Sequence, residues 1–141
     1  MRVEEYLNQA NRLDNRIHAK MKELVMMRET AADIHSPVMG ERVQTSRSID
    51  PPFVRALERI EEMQERMEAE VKLLVALKEQ INSVIDSVGN TDKRLVLRYR
   101  FVHRMTWNAI AAALYVDEKT ARRWCDAAIK EITLPPDAII I

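Results

Sequence analysis

A chain of 141 residues with 22 Lys+Arg against 22 Asp+Glu has room for one domain, or for a small domain plus an extended element, and its zero net charge excludes a uniformly basic protein. The balance is uneven: residues 1–90 hold 13 Lys+Arg and 16 Asp+Glu, a net of −3, whereas residues 91–133 hold 9 and 5, a net of +4, and Asp137 supplies the remaining −1. A single cysteine, Cys125, excludes an intramolecular disulfide, and two glycines with almost no alternating apolar pattern exclude a β-rich fold and predict an all-α chain.

From Val3 to about Ile34, Tyr6, Ala10, Leu13, Ile17, Met21, Leu24, Met27 or Arg28, and Ala31 recur at steps of three and four, which places them on one stripe of a long helix. Ser36-Pro37 breaks the pattern, and the polar run that follows predicts a loop at about residues 36–50. Asp50 followed by Pro51 and Pro52 is a helix start: a capping side chain, then prolines whose missing N–H groups cost nothing in a first turn. The stripe Phe53, Leu57, Ile60, Met63, Met67, Val71, Leu74, Leu77, Ile81, Val84 or Ile85, and Val88 then runs to a stop at Gly89-Asn90. Most other positions are charged, the patterning of a coiled coil. Neither long helix can bury its stripe alone. Residues 1–89 are therefore expected to form an antiparallel helical hairpin that pairs with the same hairpin of another subunit, as a homodimer or higher homo-oligomer.

The next forty residues carry the positive charge. Thr91 or Asp92 is a candidate cap for a third helix reaching about Arg104, with Leu95, Val96, Tyr99 and Val102 inside. Thr106 caps a fourth helix, and Asp117 a fifth, the latter covering about residues 117–132. A helix-turn-helix needs apolar residues late in its first helix, a small residue where the helices cross, one apolar residue in the turn and two more in the second helix. Trp107, Ile110, Ala111, Leu114, Val116, Ala121 and Trp124 meet that specification, so residues 90–134 are expected to be a tri-helical DNA-binding domain. Residues 135–141 form a tail that starts where Pro135-Pro136 ends the last helix, and its isoleucines would be unusual if left exposed.

Burial of that core leaves Lys119, Thr120, Arg122 and Arg123 on the outer face of the last helix, where a guanidinium can present its fork to guanine O6 and N7. These four are the expected base readers. Arg94, Arg98, Arg100, Arg104, Thr106 and Lys130 are better placed for backbone phosphates, which position a protein without reading sequence. Double-stranded DNA is the expected partner. The competing reading is that these charges are a solvated helix face on a protein-binding module.

Other chemistry finds no support in the sequence. His18, His35 and His103 have no ligand-spaced companions, the methionines fall on or beside apolar stripes as gap fillers, and there is no glycine-rich phosphate loop or nucleophile elbow. No metal, no cofactor and no enzymatic activity are expected. No signal-peptide pattern is evident, and no apolar run approaches the ~20 residues a membrane span needs, so a cytoplasmic protein with no membrane partner is expected.

The segment DKRLVLRYRFVHRMTWNAIAAALYVDEKTARRWCDAAIKEI resembles region 4 of bacterial sigma-70-type factors, through RLVLRYRF, TWNAIAAAL and the V-D-x-x-T-A-R-R start of the last helix. With EYLNQANRLDNRIHAKMKEL and VKLLVALKEQINSVIDSV, the whole chain resembles phage and prophage proteins near the ArpU-like and RinA-like regulators of late genes. The resemblance implies a helical N-terminal half, a promoter-reading helix-turn-helix, transcription regulation in a bacterial host, and RNA polymerase as a further candidate partner. Two departures matter. Tyr115 stands where many helix-turn-helix turns have glycine, so the turn is expected to be shaped otherwise, and no sigma region 2 is recognisable, so a complete sigma factor is not expected. The alternatives weighed against a regulator are a phage terminase small subunit, which also combines a helix-turn-helix with an oligomerising hairpin, and a protein adaptor that does not bind DNA.

Overall fold

The computed structural model describes residues 1–35 and 51–141. The expected loop at about 36–50 and Asp50 as a helix cap lie outside the described residues. Among those described, the chain is all-α, with α1 (Val3–His35), α2 (Pro51–Asp86), α3 (Thr91–Leu97), a π-helical segment (Arg98–Val102), α4 (Trp107–Leu114) and α5 (Glu118–Glu131). They divide into two compact units, residues 15–72, and residues 1–14 together with 73–141.

In the unit of residues 15–72, the second part of α1 and the first part of α2 run antiparallel. Glu70 meets Arg16 and Lys20 at 2.9 and 2.8 Å, while Met26 and Thr30 share a groove with Pro52 and Arg59. Leu24, Ala31 and Ile60 form the buried centre, and Met27, Phe53, Ala56, Met63 and Met67 pack against it half-buried. Two helices in contact bury only a narrow seam each. Met21, Leu57 and Val71 belong to the apolar stripes of the sequence, yet they remain exposed beside that seam, as do Val25 and Met26.

The other unit is built on a wider core. Tyr6, Leu7, Ala10 and Leu13 from α1 join Leu74, Leu77, Ile81, Val84, Ile85 and Val88 from α2 as buried residues, and the C-terminal helices add Val96, Leu97, Phe101, Ile110, Ala121, Cys125, Ala128 and Ile132. Truncating one fully enclosed member such as Leu97 to alanine should cost roughly 2–5 kcal/mol, lost transfer energy plus a cavity. α3 and α4 both pack on α5, and Lys93 reaches Glu131 at 2.6 Å to tie the start of α3 to the end of α5.

Three local expectations change. α2 ends at Asp86 rather than at Gly89-Asn90, and Asn90, not Thr91 or Asp92, caps α3 by accepting the Lys93 N–H at 3.1 Å. The third helix does not continue as an α-helix, because the Arg98 carbonyl accepts from the His103 N–H five residues on, and Tyr99 from Met105 six residues on. Each wider turn takes an extra residue, so the buried set past Arg94 is Val96, Leu97 and Phe101, while Leu95 and Tyr99 are half-buried and Val102 is exposed.

Tyr115 takes the left-handed conformation itself, at φ 58° and ψ 40°, which corrects the expectation that the turn would avoid it. The Val116 N–H donates to Ala111 O at 3.1 Å and the Tyr115 N–H to Ala112 O at 3.4 Å, the paired bonds of a Schellman stop. A non-glycine residue there costs roughly 1–2 kcal/mol of backbone energy. The side chain recovers little of it by packing, since Tyr115 is 95% exposed.

The tail is held by glutamines. Gln9 is fully buried, its Nε2 donating to Ile139 O at 2.8 Å and its Oε1 accepting from the Ile141 N–H at 3.0 Å. Gln80 Oε1 accepts from the Ile139 N–H at 2.8 Å and from the Tyr6 hydroxyl at 2.6 Å, and Gln80 Nε2 donates to Asp137 O at 3.1 Å. Extended backbone offers its groups on one side at every second residue. Two side-chain amides from α1 and α2 thereby take the place of a partner strand, and burial followed by the nearby Asp137 raises the Tyr6 pKa, keeping its hydroxyl a donor.

Candidate nucleic-acid interface

α5 starts where its sequence says it should. Asp117 Oδ1 accepts from the Thr120 N–H at 2.9 Å, and Thr106 Oγ1 accepts from the Ala109 N–H at 3.2 Å to start α4. Hydrogen bonding from Thr120, followed by smaller contributions that include the Arg123 guanidinium, holds the Asp117 carboxyl below its ordinary range. The negative cap also sits at the positive end of the helix dipole.

The inner face of α5 is Ala121, Cys125, Ala128 and, just past its end, Ile132, all buried. Three small residues let α5 lie close to its neighbours. Ala121 is buried as its spacing predicts, but Trp124 is only half-buried and Cys125, 2% exposed, takes the core position expected for Trp124. Burial pushes the Cys125 thiol up to about 12, and the carboxylates of Asp126 and Glu4 add to the shift. Ile110 and Ala111 of α4 are buried, and Trp107, Leu114 and Val116 are half-buried.

The outer face gathers Glu118, Lys119, Arg122, Arg123, Asp126 and Lys130, all exposed. Steps of three and four keep most of them on one stripe. Thr120 is half-buried and serves the Asp117 cap rather than projecting with Lys119. Arg122 lies over the Trp107 ring, its guanidinium carbon 5.4 Å from the centroid, and Arg100 lies over the same ring at 4.7 Å.

The remaining basic residues are distributed differently. Arg98 donates to Asn82 at 3.1 Å and pairs with Asp86, so its charge is engaged with α2. Arg104, left-handed at φ 58°, faces Asp14 at 3.6 Å. Arg100 Nη1 donates to Met105 O at 3.0 Å. Arg94 is half-buried beside Thr91 Oγ1 at 3.4 Å, and its Nε has no hydrogen-bond partner. Thr106 is occupied as a cap, and Lys130 is exposed near the end of α5.

Sequence reasoning missed the Tyr6, Gln9 and Gln80 cluster. Its one legible sign was a glutamine inside the buried stripe of α1, three residues after Tyr6 and four before Leu13. Among the described residues, no group of three or more His, Cys, Asp or Glu side chains is arranged to hold a metal, and no helix is long and apolar enough to cross a membrane.

No curated protein and no solved structure matches the chain. A family model described as "Protein of unknown function (DUF722)" matches residues 3–133, which takes in both long helices and the three short ones. The chain therefore belongs to the DUF722 family of proteins of unknown function.

Proposed function

We propose that this protein is a sequence-specific, double-stranded-DNA-binding transcription regulator of a phage or prophage, akin to the ArpU-like and RinA-like regulators, acting in the cytoplasm of a bacterial host. The observation that carries the reading is the division of α5: small buried residues seat it against α3 and α4, and its outer stripe presents Lys119, Arg122, Arg123 and Lys130 to solvent. A helix seated in this way can enter a major groove, about 12 Å wide, with its first turns foremost. Lys119 and Arg123 lie in the first two turns and are the side chains for base edges. Lys130, near the far end, suits a phosphate.

One such head makes few base contacts, so a pair of heads on a shared support gains strongly in effective concentration. The exposed Met21, Val25, Leu57 and Val71 of the unit of residues 15–72 support pairing of long helices from two copies. RNA polymerase is a further candidate partner of a DNA-bound regulator.

The test is to retain sheared host DNA on the purified protein at moderate salt and sequence it. Peaks upstream of phage structural or lytic genes are the expected result, and Arg123→Ala should flatten them while Lys130→Ala lowers all of them alike. A peak at a packaging locus, with a large ring in solution, would move the assignment to a terminase small subunit. No enrichment at any salt would refute DNA recognition.

A further inference from the structure

We propose that Arg100, Trp107 and Arg122 form a built site for a phosphate oxyanion, occupied by a backbone phosphodiester when the protein is on DNA, so that Arg122 anchors and does not read bases. The proposal rests on the DNA-binding reading for its natural ligand and on side-chain geometry for the site itself. Both guanidinium carbons lie over one indole ring, at 4.7 and 5.4 Å from its centroid, so the two charges are at most about 10 Å apart. At that upper bound their repulsion in water is a few tenths of a kcal/mol, small enough for both heads to share the ring, and among the described residues neither guanidinium has an ion-pair partner, which leaves both charges for an anion.

The missing partner is informative for Arg122, because Glu118 and Asp126 stand one helical turn to either side of it on α5, the spacing at which ion pairs form. Arg122 pairs with neither and lies over Trp107 instead. Arg100 uses Nη1 for Met105 O, which fixes its head and leaves the other guanidinium donors available. Trp107 is half-buried and opens α4, with Thr106 as its cap. The Ala109 and Ile110 N–H groups go to Thr106, and those of Trp107 and Asn108 have no intrahelical acceptor. Two planar forks steadied by one ring, beside the positive end of a helix, match an oxyanion with several acceptor oxygens. A guanidinium drawn to the Trp107 ring by roughly 0.5–1 kcal/mol is biased away from a base edge, which leaves sequence discrimination to Lys119 and Arg123.

Two measurements on the full chain test this. The protein labelled with 5-fluorotryptophan gives one fluorine resonance for Trp107 and one for Trp124, assigned with Trp107→Phe. Inorganic pyrophosphate, titrated at constant ionic strength, should shift the Trp107 line and leave Trp124 in place, and Arg122→Gln should abolish the shift. In parallel, affinity for a random-sequence duplex is followed against salt. Arg122→Gln should lower the log–log slope by about 0.9, equivalent to about eight-fold weaker binding at 0.1 M salt, equally on every sequence. Arg123→Gln provides the contrast, changing the ranking of sequences.

If pyrophosphate moves neither line, or moves Trp107 equally in Arg122→Gln, there is no such anion site and the proposal fails. A wild-type protein that binds duplex with a slope unaffected by Arg122→Gln also overturns it, while leaving DNA recognition intact. An Arg122-dependent pyrophosphate shift in a protein that binds no duplex supports the anion site and refutes the DNA reading.

Discussion

Replacing Gln9 by methionine keeps the length and approximate volume of a fully buried side chain and removes its two bonds to the tail, to Ile139 O at 2.8 Å and from Ile141 N at 3.0 Å. If the tail stayed docked, two backbone groups would be left unsatisfied, at roughly 1–3 kcal/mol each. Release of the tail into water would limit that loss to the docking energy. Ile139 and Ile141 are half-buried and contribute about 1 kcal/mol each, and the Gln9 and Gln80 bonds contribute about 1 kcal/mol apiece. With the tail docked the loss is about 2–6 kcal/mol; with the tail released, the roughly 6 kcal/mol of contacts is reduced by the regained freedom of Ile139, Ile140 and Ile141, about 1 kcal/mol each, to about 3 kcal/mol, so a loss of about 2–4 kcal/mol is expected. With roughly 3 °C per kcal/mol for a chain of this size, Tm should fall by about 6–12 °C. Trp107 and Trp124 lie in the same compact unit as the tail, so their fluorescence in urea reports the relevant unfolding. The decisive assay is a double-mutant cycle with a chain ending at Ala138. There the methionine should cost almost nothing, giving a coupling of about 2–4 kcal/mol. A coupling below about 0.5 kcal/mol would show that Gln9 and the tail are energetically independent and would refute the docking argument.

Tyr115→Gly relieves a left-handed tyrosine with an almost fully exposed ring, and after the extra unfolded-state entropy of glycine it should still stabilise by up to about 1 kcal/mol; a lower urea midpoint would contradict the backbone argument. Because the folded Cys125 pKa is raised to about 12, its stabilising effect is complete below the unfolded thiol pKa and is lost as pH rises toward 12. The stability advantage of the wild type over Cys125→Ala should therefore be constant to about pH 8.5 and then decline by about 1.4 kcal/mol per pH unit, and a flat difference to pH 10.5 would count against burial of the thiol. Glu70 has the opposite sign. Lys20, then Arg16, outweigh burial and hold its carboxyl below the ordinary value, so its contribution is present above about pH 4.5 and fades as pH falls through the folded pKa. The difference between wild type and Glu70→Gln in urea unfolding should shrink on acidification below about pH 4.5; a difference that grows there would refute the pairing.

The parts of this protein that were legible in the sequence are those whose chemistry is local. Thr106 and Asp117 cap α4 and α5 because a short oxygen-bearing side chain reaches an amide three residues on, whatever the remainder of the chain does. The all-α class and the two long helices follow from apolar spacing, and the exposed stripe of Lys119, Arg122 and Arg123 follows from a helix whose other face is small and buried. Tertiary structure decided what local spacing leaves open. Phe101 rather than Val102 enters the core because the π-helical segment admits an extra residue per turn, and an apolar pattern read at 3.6 residues per turn does not register that. Met21, Leu57 and Val71 look like core and remain exposed because a helix pair has only one seam. Arg122 resembles its neighbour Arg123 in the sequence, but only packing of α5 beside α4 brings Trp107 beneath it. Gln9 meets Ile139 and Ile141 across some 130 positions of chain. Capping is fixed by bonds that span a few residues, whereas these contacts exist only once burial has brought distant backbone and side chains together, and local propensity carries no term for them.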